Sequence, residues 1–207
     1  MRWPAGAPSP SPSAAERSAR HALPGPVFRV ADATEQLEAS LHALVWASCL
    51  IPEAAAHESP EPRAWSAATN LAHLLLYEER VSVPVIEALL RGEDGTAVAP
   101  NAVEGWLARE SEALGASQLS VLAPRWERAR ARLIAAVRRF GDAEFNEPRC
   151  AVTTPMLRDI GLHPAGLVAM KAYQHTWEHG NVILRTARVA CSRTARLASG
   201  RPAPLIR

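Results

Sequence analysis

The segment Tyr173-Gln174-His175-Thr176-Trp177-Glu178-His179 carries two imidazoles four positions apart. On a helix, positions i and i+4 share a face one turn apart, so both rings can reach a common point. Imidazole nitrogen is a standard ligand of divalent transition ions and would hold zinc at about 2.0–2.1 Å. Val168, Ala172, Val182 and Ile183 fall on the same face, which directs the pair toward the interior. A buried histidine needs a polar partner there. Backbone carbonyls or water meet that need as well as a metal does, and the pair by itself favours this plainer reading.

A third histidine changes the balance. His73 sits in Asn70-Leu71-Ala72-His73-Leu74-Leu75, on an apolar helical stretch of its own. A His from a facing helix would complete one side of a coordination sphere. Three His ligands with open positions form a catalytic type of site and not a closed structural one. Three neighbours are candidates for substrate-facing or supporting roles. Tyr77 follows His73 by one turn, Lys171 precedes His175 by one turn, and Glu178 lies between the two C-terminal histidines but points away from them on the helical wheel. Packing, a snorkelling surface amine and a solvated carboxylate are their ordinary readings. Trp46, Trp126 and Trp177 read as core, and His42, His57 and His163 as structural or surface groups.

The elements that must position these side chains are helices. Leu37, Leu41, Leu44, Val45 and Cys49 mark a first helix, capped by Asp32 with Glu35 three residues on and stopped before Pro52. Ala54 to Arg63 reads as a loop. A second helix runs from Trp65-Ser66 to about Arg91, kinked at Pro84 and ended by Gly92. A loop and a short helix over Val103 to Leu114 lead to a third long helix, Gln118 to Phe140. Its inward residues include Leu122, Trp126 and Leu133, and Arg128, Arg130, Arg132, Arg138 and Arg139 are expected mostly outward. After an irregular loop holding Cys150, the fourth helix starts near His163-Pro164 and continues to about Val189. Residues 1–26, rich in Pro, Ser and Ala, are expected to be a disordered tail, 27–190 the bundle, and 191–207 a flexible C-terminal tail. Four long amphipathic helices without a comparable strand signal predict an all-α fold, a four-helix bundle.

Composition sets bounds on function. The chain has 207 residues, 48% of them hydrophobic, enough for one domain with a real core. A net charge of only +2, and arginines without interleaved aromatics, disfavour nucleic acid as partner. No apolar run is long enough to span a membrane. Cys49, Cys150 and Cys191 are scattered and odd in number, which predicts reduced thiols in a cytoplasmic protein.

Trp65-Ser66, His73-Leu74 on the second helix and His175-x3-His179 on the fourth resemble the DinB-like superfamily, as does the Arg-rich third helix ending in Phe140-Gly141-Asp142. The resemblance covers about residues 31–190. It implies an up-down-down-up bundle with a long crossover between helices two and three, supplied here by Glu93 to Ser117. It implies His73, His175 and His179 as ligands of a divalent metal, with zinc and nickel both suited to imidazole. Because the group includes transferases that use bacillithiol or mycothiol, it further implies a low-molecular-weight thiol as co-substrate, a small-molecule substrate and a homodimer as one assembly. The expected activity is thiol S-transfer or hydrolysis through an activated thiolate or water. A non-catalytic metal-binding, stress-related sensor or interaction protein is the alternative.

Overall fold

A computed structural model of the protein describes residues 27–93, 103–151 and 162–198. Helix α1 spans Val30–Cys49 and the single turn α2 Glu53–Ala56. Helix α3, Ala67–Tyr77, passes through a π-helical segment, Glu78–Ser82, into α4, Val83–Leu90. Then come α5 (Val103–Leu114), α6 (Leu119–Val137), the turn α7 (Asp142–Phe145), strands β1 (Pro148–Ala151) and β2 (Leu162–Pro164), and the long helix α8 (Ala165–Ala198).

Four helical rods, α1, α3–α4, α6 and α8, bury Leu37, Leu44, Leu71, Leu75, Ile86, Leu122, Leu133 and Ile183 in one core. Cross-helix neighbours fix the directions. Glu79 and Glu87 of the second rod meet Arg125 and Arg132 of α6, so these two run parallel. Phe28, just ahead of α1, and Leu44 within it approach Gly166 and Gly180 of α8, so that pair is parallel too. Glu38 and Ser40 of α1 meet Arg138 and Arg130 of α6, and Asn70 and His73 of α3 meet His179 and His175 of α8, so both of those pairs are antiparallel. The bundle is therefore up-down-down-up. The chain between α4 and α6 must return along the bundle, and α5 packs against α3 on that return.

Local chemistry explains the ends of the rods. Ser66 caps α3, its Oγ accepting from the Thr69 amide at 3.2 Å. Gly92, at φ 76°, takes the left-handed conformation that closes α4. Pro84 lacks an amide hydrogen and its ring would collide with the carbonyl four residues back. The chain relieves this with a π turn immediately before it, where Val83 N–H reaches Glu78 O, and Pro84 enters α4 in its first turn.

Several expectations are corrected. Asp32 lies within the first turn of α1 and no side chain of α1 caps it; the Val30 amide donates to Asp142 Oδ1 at 2.8 Å instead. Likewise the Leu119 amide, at the start of α6, donates to Glu53 Oε1 at 2.8 Å. The stretch 54–63 is not all loop, since α2 reaches Ala56. Trp46 is 64% exposed and not core. The irregular segment before α8 includes a small antiparallel pairing in which Cys150 opposes His163 and Ala151 opposes Leu162. Helix α8 continues to Ala198, so 191–198 are helical where a flexible tail was expected. Residues 1–26, 94–102, 152–161 and 199–207, with the tail and loop expectations that fall on them, lie outside the described residues. No helix among the described residues is long and apolar enough to cross a membrane.

Candidate metal centre

The antiparallel contact of α3 with α8 brings three imidazoles together. One ring nitrogen from each of His73, His175 and His179 lies within 4.8 Å of the other two. His73 Nε2 and His175 Nε2 are 3.0 Å apart. Two imidazoles sharing a zinc ion at about 2.0–2.1 Å would stand about 2.9–3.4 Å apart, so this spacing fits.

Hydrogen bonds set which nitrogen of each ring carries the proton. Ser111 Oγ donates to Leu107 O at 2.5 Å, so it has only a lone pair to offer His73 Nδ1 at 3.1 Å. His73 Nδ1 is therefore protonated and Nε2 bears the lone pair. Asn70 Nδ2 donates to the carbonyls of Trp65 and Ser66 at 3.1 and 2.9 Å, which turns its Oδ1 to His179 Nδ1 at 2.9 Å. His179 Nε2 is bare in the same way. Glu178 Oε2 lies 3.5 Å from His175 Nδ1, the acceptor that nitrogen needs when Nε2 faces a cation. Supporting partners of this kind orient metal-binding histidines generally.

The electrostatics agree. Burial, then the charge His179 would carry, hold the His73 pKa down to about 4. Burial, followed by His179, His73, Lys171 and Arg130, holds His175 down to about 2. Burial also lowers His179. All three rings are neutral near pH 7 and offer lone pairs to a cation. The donor set fits a divalent transition metal.

Tyr77 lies against the cluster, its ring centroid 4.2 Å from that of His175. Burial, and then Glu78 and Glu178, raise its pKa to about 12, so the phenol keeps its proton. Lys171 is mostly buried, with Nζ 4.0 Å from Glu178 Oε1. Glu178 is exposed and supports His175 from outside instead of joining the three rings.

Three contributors escaped sequence reasoning. Trp65 sits just before the Ser66 cap and lays its ring 5.1 Å from His73 and 5.9 Å from His179, centroid to centroid. The signal was its place one residue ahead of the cap of the His73 helix. Asn70 stands three residues before His73 on the same face, a legible spacing for a supporting group. Ser111, on the crossover helix, carried no signal.

Arg130 overturns a further expectation. It is fully buried, not outward. Its Nη2 lies 2.5 Å from Glu78 Oε1 and also donates to Thr176 Oγ1, while Nη1 donates to Ser40 Oγ at 3.2 Å. One guanidinium thus ties α1, the π segment and α8 together at the residue next to His175. Burial pushes the Glu78 carboxyl up, and Arg130 opposes that rise.

A cleft of about 300 Å³ opens beside the cluster, with Trp65, Asn70 and His179 in its wall.

The sequence profile of the DinB superfamily matches residues 33–183. No curated protein sequence matches the chain. Among solved structures, that of a mycothiol-dependent maleylpyruvate isomerase superposes with TM-score 0.59 at 16% identity, covering 77% of this chain and 68% of the other. YfiT from Bacillus subtilis, described as "a probable metal-dependent hydrolase with an unusual four-helix bundle topology", superposes with TM-score 0.60 at 15% identity, covering 88% and 92%. At these identities the likeness is one of fold.

Proposed function

The chain belongs to the DinB superfamily, and from that premise we propose that it is a small-molecule enzyme whose His73, His175 and His179 hold a divalent ion, zinc or nickel. The reaction class is transfer of a low-molecular-weight thiol to an electrophile, with hydrolysis as the related outcome when water takes the thiol's place. When bound, the ion supplies positive charge that brings the pKa of a thiol or water toward neutrality.

The observation that carries this reading is the fixed orientation of the rings. Ser111 and Asn70 hold the protons of His73 and His179 on Nδ1 and leave both Nε2 atoms bare toward one another's neighbourhood. Two rings whose protons are held on Nδ1, beside a third ring within 4.8 Å, offer the lone pairs that a shared ion needs. In this reading Glu178 accepts the Nδ1 proton of His175, Lys171 balances the Glu178 charge, and Tyr77 presents a phenol that stays protonated at neutral pH. Trp65 covers two of the rings and limits water there. The cleft beside His179 supports a site that admits a substrate over a closed structural one. The mycothiol dependence named for one structural neighbour supports a thiol co-substrate.

The test is metal analysis of the untagged protein beside His73→Ala, followed by assays of the metal-loaded protein with small thiols and a chromogenic electrophile. We expect one ion per chain in the wild type, loss of it in the variant, and metal-dependent turnover. Stoichiometric metal in His73→Ala, or no turnover with any thiol or in ester hydrolysis, would defeat the proposal.

A further inference from the structure

The cleft beside His179 has a chemically marked lining. Arg63 and Arg185 line it together with Glu61, Trp65, Asn70 and His179. It adjoins a second hollow of about 370 Å³ along α8, with which it shares Pro60, Glu61 and Arg185. Volumes of this order suit a small molecule.

The two guanidinium groups are available. Several surface arginines are taken up by carboxylates, Arg91 by Glu93, Arg125 by Glu79, Arg132 by Glu87 and Arg138 by Glu38, while others such as Arg109, Arg128, Arg139 and Arg188 have no such partner among the described residues. Arg63 and Arg185 differ from these in lining one cleft together with His179. Among the described residues Arg63 and Arg185 have no ion pair and no side-chain hydrogen bond, even with Glu61 in the same cleft. Arg63 holds φ at 69°, in the left-handed region that non-glycine residues rarely enter, and the Ala64 amide closes the turn onto Glu61 O at 3.0 Å. That backbone conformation sets the direction in which the Arg63 side chain leaves the chain.

We infer that the molecule taken by this site is an organic anion, with its carboxylate bound by Arg63 and Arg185 and its reactive end toward His179. The inference rests on the metal-holding reading of the histidines. Three neutral imidazoles leave a divalent ion its full charge, two arginines add to it, and Glu61 removes only part, so the cleft favours negative ligands. Guanidinium is suited to this task because its planar N–H fork matches a carboxylate. Arg185 lies six residues beyond His179 on α8, a rise of about 9 Å. A ligand reaching both ends therefore spans about that distance, less what the arginine covers by folding back.

The test uses the full chain loaded with cobalt(II) and two thiols that share a metal-binding end, 6-mercaptohexanoate and 6-mercaptohexan-1-ol. Their affinities are read from the sulfur-to-cobalt absorption band. We expect the acid to bind about tenfold tighter than the alcohol, equivalent to about 1.4 kcal/mol. Arg63→Gln and Arg185→Gln should each erode that preference several-fold, leaving the affinity for the alcohol and the cobalt stoichiometry unchanged. Arg188→Gln, an exposed arginine of α8 that lines neither hollow, should leave the preference intact. Equal binding of acid and alcohol, or a preference that survives in the double arginine variant, overturns the inference. If the chain takes up no cobalt, the metal reading fails by itself. Calorimetry of hexanoate against hexanamide on the metal-free chain, wild type and double variant, then decides the anion question.

Discussion

Ser111 Oγ lies 3.1 Å from His73 Nδ1 and, already donating to Leu107 O, can only accept from that ring. A residue of the crossover helix therefore determines the tautomer of a histidine on the second rod. Ser111→Ala removes the acceptor. It should weaken metal binding by about 10–100-fold, the usual effect of losing such a support, with helical content unchanged. Competition with a chromogenic chelator measures this, and an affinity within twofold of wild type would mean that Ser111 does not orient His73.

Metal-free stability should fall in acid. His73 is held down to about 4 and His175 to about 2, against 6.5 for an unperturbed ring. Between pH 6.5 and 4 the unfolded chain binds protons that the native rings refuse, so acid favours unfolding. Each histidine contributes up to about 1.4 kcal/mol per pH unit across this window. The stability is present above pH 6.5 and is lost on descent through it. Urea unfolding at pH 7.5, 6 and 5 reads the slope. His175→Asn, which no longer titrates, should flatten it, and a chelated wild type as stable at pH 5 as at pH 7.5 would contradict the burial of neutral rings.

The buried Glu78–Arg130 pair gives an asymmetric prediction. Arg130→Met leaves the Glu78 carboxylate without its partner and should cost about 3–5 kcal/mol. Adding Glu78→Leu should restore much of the loss, because a well-packed apolar pair replaces an expensively desolvated ionic one. Denaturant midpoints of the two singles and the double complete the cycle. Additive losses would show that the two side chains do not act as a pair.

Gly115 tests the packing of the crossover. A Cβ built there would stand 2.6 Å from Thr69 Oγ1 and 2.7 Å from Thr69 Cα. The second atom is backbone and cannot swing aside. Gly115→Ala should push α5 off α3, costing about 1–3 kcal/mol as overpacking does, and should weaken metal binding through Ser111. Retention of wild-type stability and metal affinity together would show that α5 does not need its close seat.

Trp65 offers an optical readout. Its ring lies 5.1 Å from His73 and 5.9 Å from His179, centroid to centroid. Binding of a paramagnetic ion such as cobalt(II) should quench part of the tryptophan fluorescence, and Trp65→Phe should remove most of that response. Quenching undiminished in the variant would place the ion elsewhere.

Much of this arrangement was legible in the residues, for reasons that differ from element to element. The rods follow from apolar spacing, and His73 stood out because Leu71, Leu74 and Leu75 surround it. Arg130 could have been read correctly. It stands in the stripe of Trp126, Leu133 and Val137, at helical intervals of four, three and seven, and only its charge argued for solvent. The partner that admits it to the core, Glu78, faces it because a π turn precedes Pro84, and no local pattern announces that turn. The caps of α1 and α6 come from Asp142 and Glu53, far away in sequence, so capping rules applied to adjacent residues could not find them. Ser111 belongs to the same class: its role exists only once the chain has folded back.

Because α4 and α6 run parallel, the polypeptide must travel the length of the bundle between Leu90 and Leu119 before it can begin its next rod. Connections elsewhere in small proteins tolerate being trimmed or lengthened, since nothing depends on their register. Here the return journey delivers a hydroxyl to an imidazole. A length change in that stretch would be felt first as a shift in ion affinity, well before the core registered any loss.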